Sequence, residues 1–298
     1  MNPLQPTNVD TLPNAEWHGG VAEHVLEARG VSQGVNNDSP SLTRRTKNST
    51  VRSVLGAAAL WSLLLLPVWM GSVPTADDLG AYHLPLRSFY QSALQNGDNW
   101  TWCPWIFGGY HLHGEGQIGG DHPLHQLLYR ALPLHWAFGL DCWWAYPATF
   151  FGMWWWLRQM RLSTTASQVA GLTLSLCGFM TLRIVHVNAI QVISHLPWLL
   201  GCMTWLEHRA RRSTTIRSVL PPIACSALFA GSQLLLGYPQ YVVFTLIAEV
   251  LWLGALMIRS PQAKSTLPVC WLAAKAFGLL LGAAQVLPTL EYLALSER

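Results

Sequence analysis

Charge is what this sequence has least of. Only 11% of its 298 residues are Asp, Glu, Lys or Arg, against about a quarter in ordinary soluble domains. With 51% hydrophobic residues, 16 Trp and a mean hydropathy of +0.26, the deficit falls in several long apolar runs and points to a polytopic membrane protein. A basic stripe is also missing. The Lys and Arg residues sit in short segments between apolar runs, and the net charge is only +3, so nothing supports nucleic-acid binding. None of the six cysteines forms a CxxC pair, and at least three lie inside apolar runs, where Cys acts as a small hydrophobe. That leaves neither a disulfide framework nor a cysteine zinc site.

What is present begins with a polar stretch. Residues 1–52 are rich in Asn, Ser, Thr and Gly and lack hydrophobic periodicity, so a disordered cytoplasmic segment is expected there. Ser53–Val73 is then free of charge over a length sufficient to cross a bilayer. The polar stretch before it makes this an uncleaved anchor rather than a cleaved leader. Further spans are expected at 134–157, 165–182, 189–206, 218–236, 240–258 and 267–287, giving an all-α transmembrane bundle of about seven helices over 53–298.

Thirteen of the 18 basic residues then fall before the first span or in the loops after spans two, four and six. The positive-inside rule therefore puts the N-terminus in the cytoplasm. A long loop at 74–133 faces outward, with the links "RIVHVN" and "GYPQ" and the tail "PTLEYLALSER".

The outward loop opens on Asp77 and Asp78. A carboxylate at a membrane boundary serves as a general base or as a cation ligand, while an ordinary acidic span end is the plain alternative. Trp100, Trp102 and Trp105 suit the headgroup region. Glycines between Gly108 and Gly120 permit close backbone approach. His111, His113 and Glu115 alternate and would share one side if extended, and Asp121 follows with His122 and His125. Such ligand types suit a divalent cation, though the spacing matches no strong metal signature. Asp141 lies some seven residues into the second expected span. Glu249 and Lys275 lie roughly 12–14 Å from the inner boundary at 1.5 Å per residue. Buried charges in membranes are usually paired, so a structural Glu249–Lys275 ion pair is expected. Pro67, Pro197, Pro221 and Pro222 read as kinks.

In order along the chain, "DDLGAYHLPLRSFYQSALQNGDNWTWCPWIFGGY", "GEGQIGGDHPL", "HVNAIQVISHLPWLLG", "GYPQYVVFT" and "AQVLPTLEYLALSER" resemble the YfhO-like family of bacterial membrane proteins, related to the GT-C superfamily of glycosyltransferases. The resemblance covers 55–298 discontinuously. It implies a GT-C-like fold in the bacterial inner membrane and transfer of a sugar from a polyprenyl-phosphate donor to a cell-envelope glycan or glycolipid. It also implies catalysis by Asp77 or Asp78. Arg87 and Arg183 would balance phosphate, and Tyr82, Asn188, Tyr238, Gln240 and Glu291 would line the cavity. A divalent cation at His111, His113, Glu115 and Asp121 is the associated option. Family members usually continue beyond the "PTLEYLALSER" segment, which makes an N-terminal portion, a truncated frame or a shortened relative the available readings. A transporter or flippase-like carrier and a non-catalytic scaffold are the alternatives from other classes. No paired, broken helices mark two corresponding halves, which counts against the carrier.

Overall fold

The computed structural model describes residues 40–72 and 77–295. Two compact units divide between Ser49 and Thr50, and the second holds the helical bundle. The disorder expected over 1–39 lies outside the described residues; from Pro40 onward the chain is helical, ahead of the expected boundary at 52.

Among the described residues the fold is all-helical, with one isolated bridge between Cys103 and Tyr110. Helix α1 (Pro40–Leu64) and the short α2 (Leu66–Trp69) replace the single first span expected over 53–73. Pro67 explains the break, because it lacks an N–H and its ring crowds the preceding turn. A π-turn over Leu79–His83 runs into α3 (Leu84–Asn96). The loop expected over 74–133, termed the outer loop after that expectation, adds α4 (Leu112–Glu115) and α5 (Pro123–Ala131). The second expected span is two helices, α6 (Leu134–Trp143) and α7 (Ala145–Gln159). Pro147, in the first turn of α7, gives the Trp143 carbonyl no N–H to accept from.

The remaining elements are α8 (Thr164–Ser175), α9 (Gly178–Leu182) with a 3₁₀ turn at Arg183–Val185, α10 (Val187–Ser194), α11 (Leu196–Ala210), α12 (Ile216–Leu235), α13 (Pro239–Arg259), α14 (Thr266–Leu281) and α15 (Ala283–Ala294). Among the described residues, four stretches are long and apolar enough to cross a membrane: Thr164–Val185, Val187–Ala210, Ile216–Leu235 and Pro239–Arg259. A fifth would be α14 with α15, but these are bent by 75°. The seventh expected span therefore does not run straight through 267–287.

Composition explains how these helices pack. In lipid, apolar surface gains little by leaving the solvent, so close backbone approach and dispersion hold helices together. Helices α12 and α14 cross at small residues: a Cβ built on Gly278 would lie 2.6 Å from Ala230 Cβ, and one on Gly231 would lie 3.2 Å from the Gly278 carbonyl. A second core packs Trp61, Tyr146 and Phe150 with Phe138 and Ile190. Trp61 donates to Ser175 Oγ at 3.2 Å, tying α1 to α8. Outward faces are apolar: Ile247, Leu251, Leu272 and Leu280 are all exposed, as suits a lipid-facing surface. The expected ion pair is present. Lys275 Nζ donates to Glu249 Oε1 at 2.6 Å, and Trp271 donates to Oε2 at 2.9 Å.

The two sets of connecting segments separate to opposite ends of this bundle. The basic segments around Arg161, Arg209–Arg212 and Arg259 line one pocket. The outer loop meets the three other polar links at a different pocket.

Candidate functional site

The outer loop is anchored from below by a buried charge. Arg87, on α3, is 1% exposed, and its Nε lies 3.1 Å from Asp141 Oδ2 on α6. Asp141 also receives the Tyr129 hydroxyl at 2.7 Å and Gln191 Nε2 at 2.6 Å, and its Oδ1 lies 2.9 Å from His125 Nε2. Arg87 donates further to the Ile118 carbonyl, and its guanidinium lies over the Tyr129 ring at 5.4 Å. Burial is the largest influence on the Arg87 pKa and would lower it, but Asp141 together with Tyr129, Tyr90 and Cys142 turns the net shift upward. This network joins α3, α5, α6 and α10. It accounts for Asp141, a charge the sequence placed some seven residues into the second expected span. It also departs from the expected role of Arg87, whose cation is committed to Asp141 instead of facing outward toward phosphate.

Above it lies a cavity of about 550 Å³ lined by Asp78, Tyr82, Glu115, Tyr238, His186 and Tyr292, among others. Segments distant in sequence supply these groups. Asp78 precedes the π-turn, and Tyr82 lies within it. Glu115 ends α4, His186 follows the 3₁₀ turn, Tyr238 precedes α13 and Tyr292 sits on α15. Asp78 Oδ2 lies 3.0 Å from His186 Nε2, a pairing that leaves the carboxylate half exposed. The Asp78 backbone N–H donates to Asp77 Oδ1 at 2.9 Å, and Asp77 is exposed and outside the cavity lining.

Backbone geometry explains how "GYPQ" reaches this place. Gly237 has φ +75°, and a Cβ there would collide with the Gly116 carbonyl oxygen, so two glycine backbones touch where no side chain fits. Tyr238 follows with φ +60°, a left-handed conformation that costs a non-glycine residue energy and is held by its surroundings. Its ring stacks on Tyr241 at 5.0 Å. Helix α15 closes the far wall. Gln285 donates to the His113 carbonyl at 2.8 Å, and Tyr292 stacks on His111 with centroids 5.9 Å apart.

Burial tunes several groups here. It raises the pKa of Glu115, although the Gln117 backbone N–H donating at 3.0 Å pulls the other way. Burial, followed by the Glu115 charge, pushes the Tyr82 hydroxyl well up. His83, beneath the cavity, falls to about 3 because it is buried and lies near Arg87. His122 falls to about 2 for the same first reason, with His125 next. It stacks on Trp144 and meets Ser232 Oγ at 2.9 Å.

The expected metal ligands do not converge. His113 pairs with Asp121 at 2.6 Å, the His111 ring accepts from the Gly114 N–H at 2.8 Å, and Glu115 faces the cavity. The reason is local: the segment coils into α4, so the alternation that would align them in a strand turns them apart. No group of three or more His, Cys, Asp or Glu among the described residues could hold a metal ion.

Of the other expected site residues, Arg183 and Gln240 are exposed beside the cavity-lining segments, and Glu291 is exposed next to Tyr292. Asn188 is fully buried two residues beyond His186. Trp102 and Trp105 are exposed, whereas Trp100 packs on Tyr90 and His113 within the loop. Reasoning from sequence missed His186, Phe107, Tyr110, Gln117 and Tyr292. His186 was legible only as a member of an outward link; its partnership with Asp78, far away in sequence, requires the fold. No protein-family model, curated protein or solved structure matches this chain.

Proposed function

We propose that the chain is a membrane glycosyltransferase-like protein that transfers a sugar from a polyprenyl-phosphate donor to a cell-envelope acceptor outside the cytoplasm. The carrying observation is Asp78 on the wall of a 550 Å³ cavity, paired with His186 and flanked by the aromatic rings of Tyr82, Tyr238 and Tyr292. A cavity of this volume suits a small ligand, and polar groups among aromatic walls fix its orientation.

In this reading an acceptor hydroxyl attacks the anomeric carbon while the bond from that carbon to the phosphate oxygen breaks. The bonding electrons leave with the lipid phosphate, and Asp78 takes the hydroxyl proton. His186, donating from Nε2, holds the carboxylate in place. Arg183, exposed on the turn that carries His186, is the cation for the departing phosphate, since guanidinium meets phosphate bidentately. Residues expected to bind a divalent cation do not fit one, so no step is routed through a metal. The GT-C-like, seven-span architecture belongs to the same reading. It counts α1 with α2, and α6 with α7, as crossings beside the four long spans and the bent pair. The order of the motifs resembling the YfhO-like family supports it, as does the positive-inside arrangement with the N-terminus in the cytoplasm of the bacterial inner membrane.

The test is transfer of labelled sugar from a polyprenyl phosphate to a glycolipid acceptor in proteoliposomes. Asp78→Asn should lower the initial rate by about 10²-fold or more, the usual contribution of a general base. Transfer by the variant at the wild-type rate would refute the assignment. A second reading, a carrier, draws on the 75° break between α14 and α15 and the Glu249–Lys275 pair within the bundle. It requires sugar-lipid movement across vesicles with no acceptor present.

A further inference from the structure

At the end of the bundle opposite the candidate active site, three connecting segments enclose a pocket of about 1020 Å³. Arg161 contributes from the turn after α7, Arg209, Arg211 and Arg212 from the end of α11, and Arg259 with Gln262 from the end of α13. The carboxylate bonded to this group is Glu207, which is fully buried. It receives Arg259 at 2.8 Å, Arg211 at 3.4 Å and the Ser260 hydroxyl. One carboxylate against five guanidiniums leaves a large positive excess in a concavity. Arg209, Arg211, Arg212 and Arg161 are exposed, and Arg209 lies over the Trp205 ring at 5.8 Å.

The positive-inside rule asks for basic residues at this end, but it does not ask that three loops fold them into one pocket. Surface electrostatics alone would be served by any of them, including Arg217 and Lys264, which lie outside the pocket lining. Glu207 organises two of the guanidiniums from beneath, so Arg211 and Arg259 are held in place. Arg161, Arg209 and Arg212 form no ion pair among the described residues. The pocket sits where α7, α11 and α13 end, which is headgroup depth for helices that cross a bilayer. Trp205 beside it suits that interfacial level.

We propose that this pocket binds the phosphate headgroup of an anionic membrane lipid. Guanidiniums recognise phosphate oxygens through paired N–H donors, and the local charge favours a headgroup with more than one negative charge.

The measurement is native mass spectrometry of the whole chain released from nanodiscs containing phosphatidylcholine doped with cardiolipin. Retained cardiolipin is counted for wild type, for Arg209→Gln/Arg212→Gln, for Arg161→Gln, and for the control Arg217→Gln/Lys264→Gln. Each basic residue near an anionic surface contributes roughly fivefold to binding, so the first double variant should weaken retention roughly thirtyfold and Arg161→Gln roughly fivefold. The control should retain cardiolipin as wild type does. Equal losses in control and pocket variants would make the effect general surface charge and overturn the site. Retention unchanged by all variants would do the same. Displacement of cardiolipin by millimolar inorganic pyrophosphate would reassign the pocket to a soluble phosphate and overturn the lipid. Arg161 lies on a different segment from the α11 arginines, so a folding failure of one variant leaves the other to decide.

Discussion

One residue of the outer loop and its partner on α6 show how burial decides what a charge can do. Arg87 and Asp141 are both buried, and each neutralises the other's charge at 3.1 Å. Removing one partner strands a charge, so Arg87→Ala or Asp141→Asn should cost about 3–5 kcal/mol, measured as thermal unfolding in detergent. His83, alongside His122, contributes to the pH dependence. Its pKa is about 3 in the folded chain, against an ordinary value near 6.5. The unfolded chain binds its proton first as the pH falls, so stability declines from about pH 6.5 downward, until the folded form also protonates near 3. Replacing His83 with Gln should reduce the slope of that decline between about pH 6.5 and 4, leaving the His122 share, read as the pH dependence of the unfolding midpoint. An unchanged slope would assign the decline elsewhere. At this scale the sequence revealed the residue types but not their partners. Arg87 looked outward-facing because it follows an outward aspartate pair. Its true direction depends on Asp141, which comes from the next expected span.

At the scale of elements, the long apolar runs were legible because hydropathy over some twenty residues follows directly from bilayer thickness. Breaks were less so. Pro67 reads as a kink in the sequence and Pro147 does not, because whether a proline bends a helix or ends it depends on what satisfies the freed carbonyl. The turn from α14 to α15 at Gly282 had no strong sequence signal. It follows from hydrogen bonds such as Gln285 to the His113 carbonyl, made with a segment 172 positions away. The Gly237–Gly116 contact is the most sensitive joint between loop and bundle. Gly237→Ala should destabilise the protein by more than about 1 kcal/mol, because alanine fits neither the positive φ nor the narrow space against Gly116. The loss should appear first as faster proteolysis of the outer loop, ahead of global unfolding. A crossing of α12 on α14 at Gly231 and Gly278 predicts that Gly278→Leu separates those two helices, with loss of a disulfide engineered across that crossing as the readout.

For the whole molecule, the division of polar segments between two ends is the feature that sequence and structure share most fully. Basic connections gather at one pocket, and the aspartate, histidine and tyrosine links gather at another. Charge counting found the two groups because each loop contributes independently to the bias. It could not find the cavity, which depends on distant segments meeting. The expected metal ligands diverge for a local reason instead: the segment coils into α4, so alternation along a strand does not align them.

The most direct measurement is photo-crosslinking of a labelled polyprenyl-phosphate sugar to the protein in lipid vesicles, comparing wild type with Asp77→Asn and Asp78→Asn. The expected result is capture on segments that wall the outer cavity, around Asp78, Glu115 and His186. Asp78→Asn should weaken it sharply, and Asp77→Asn, outside the lining, should leave it near wild type. Equal labelling of all three proteins, or labelling no stronger than that of a sugar without a lipid, would contradict a donor site at Asp78.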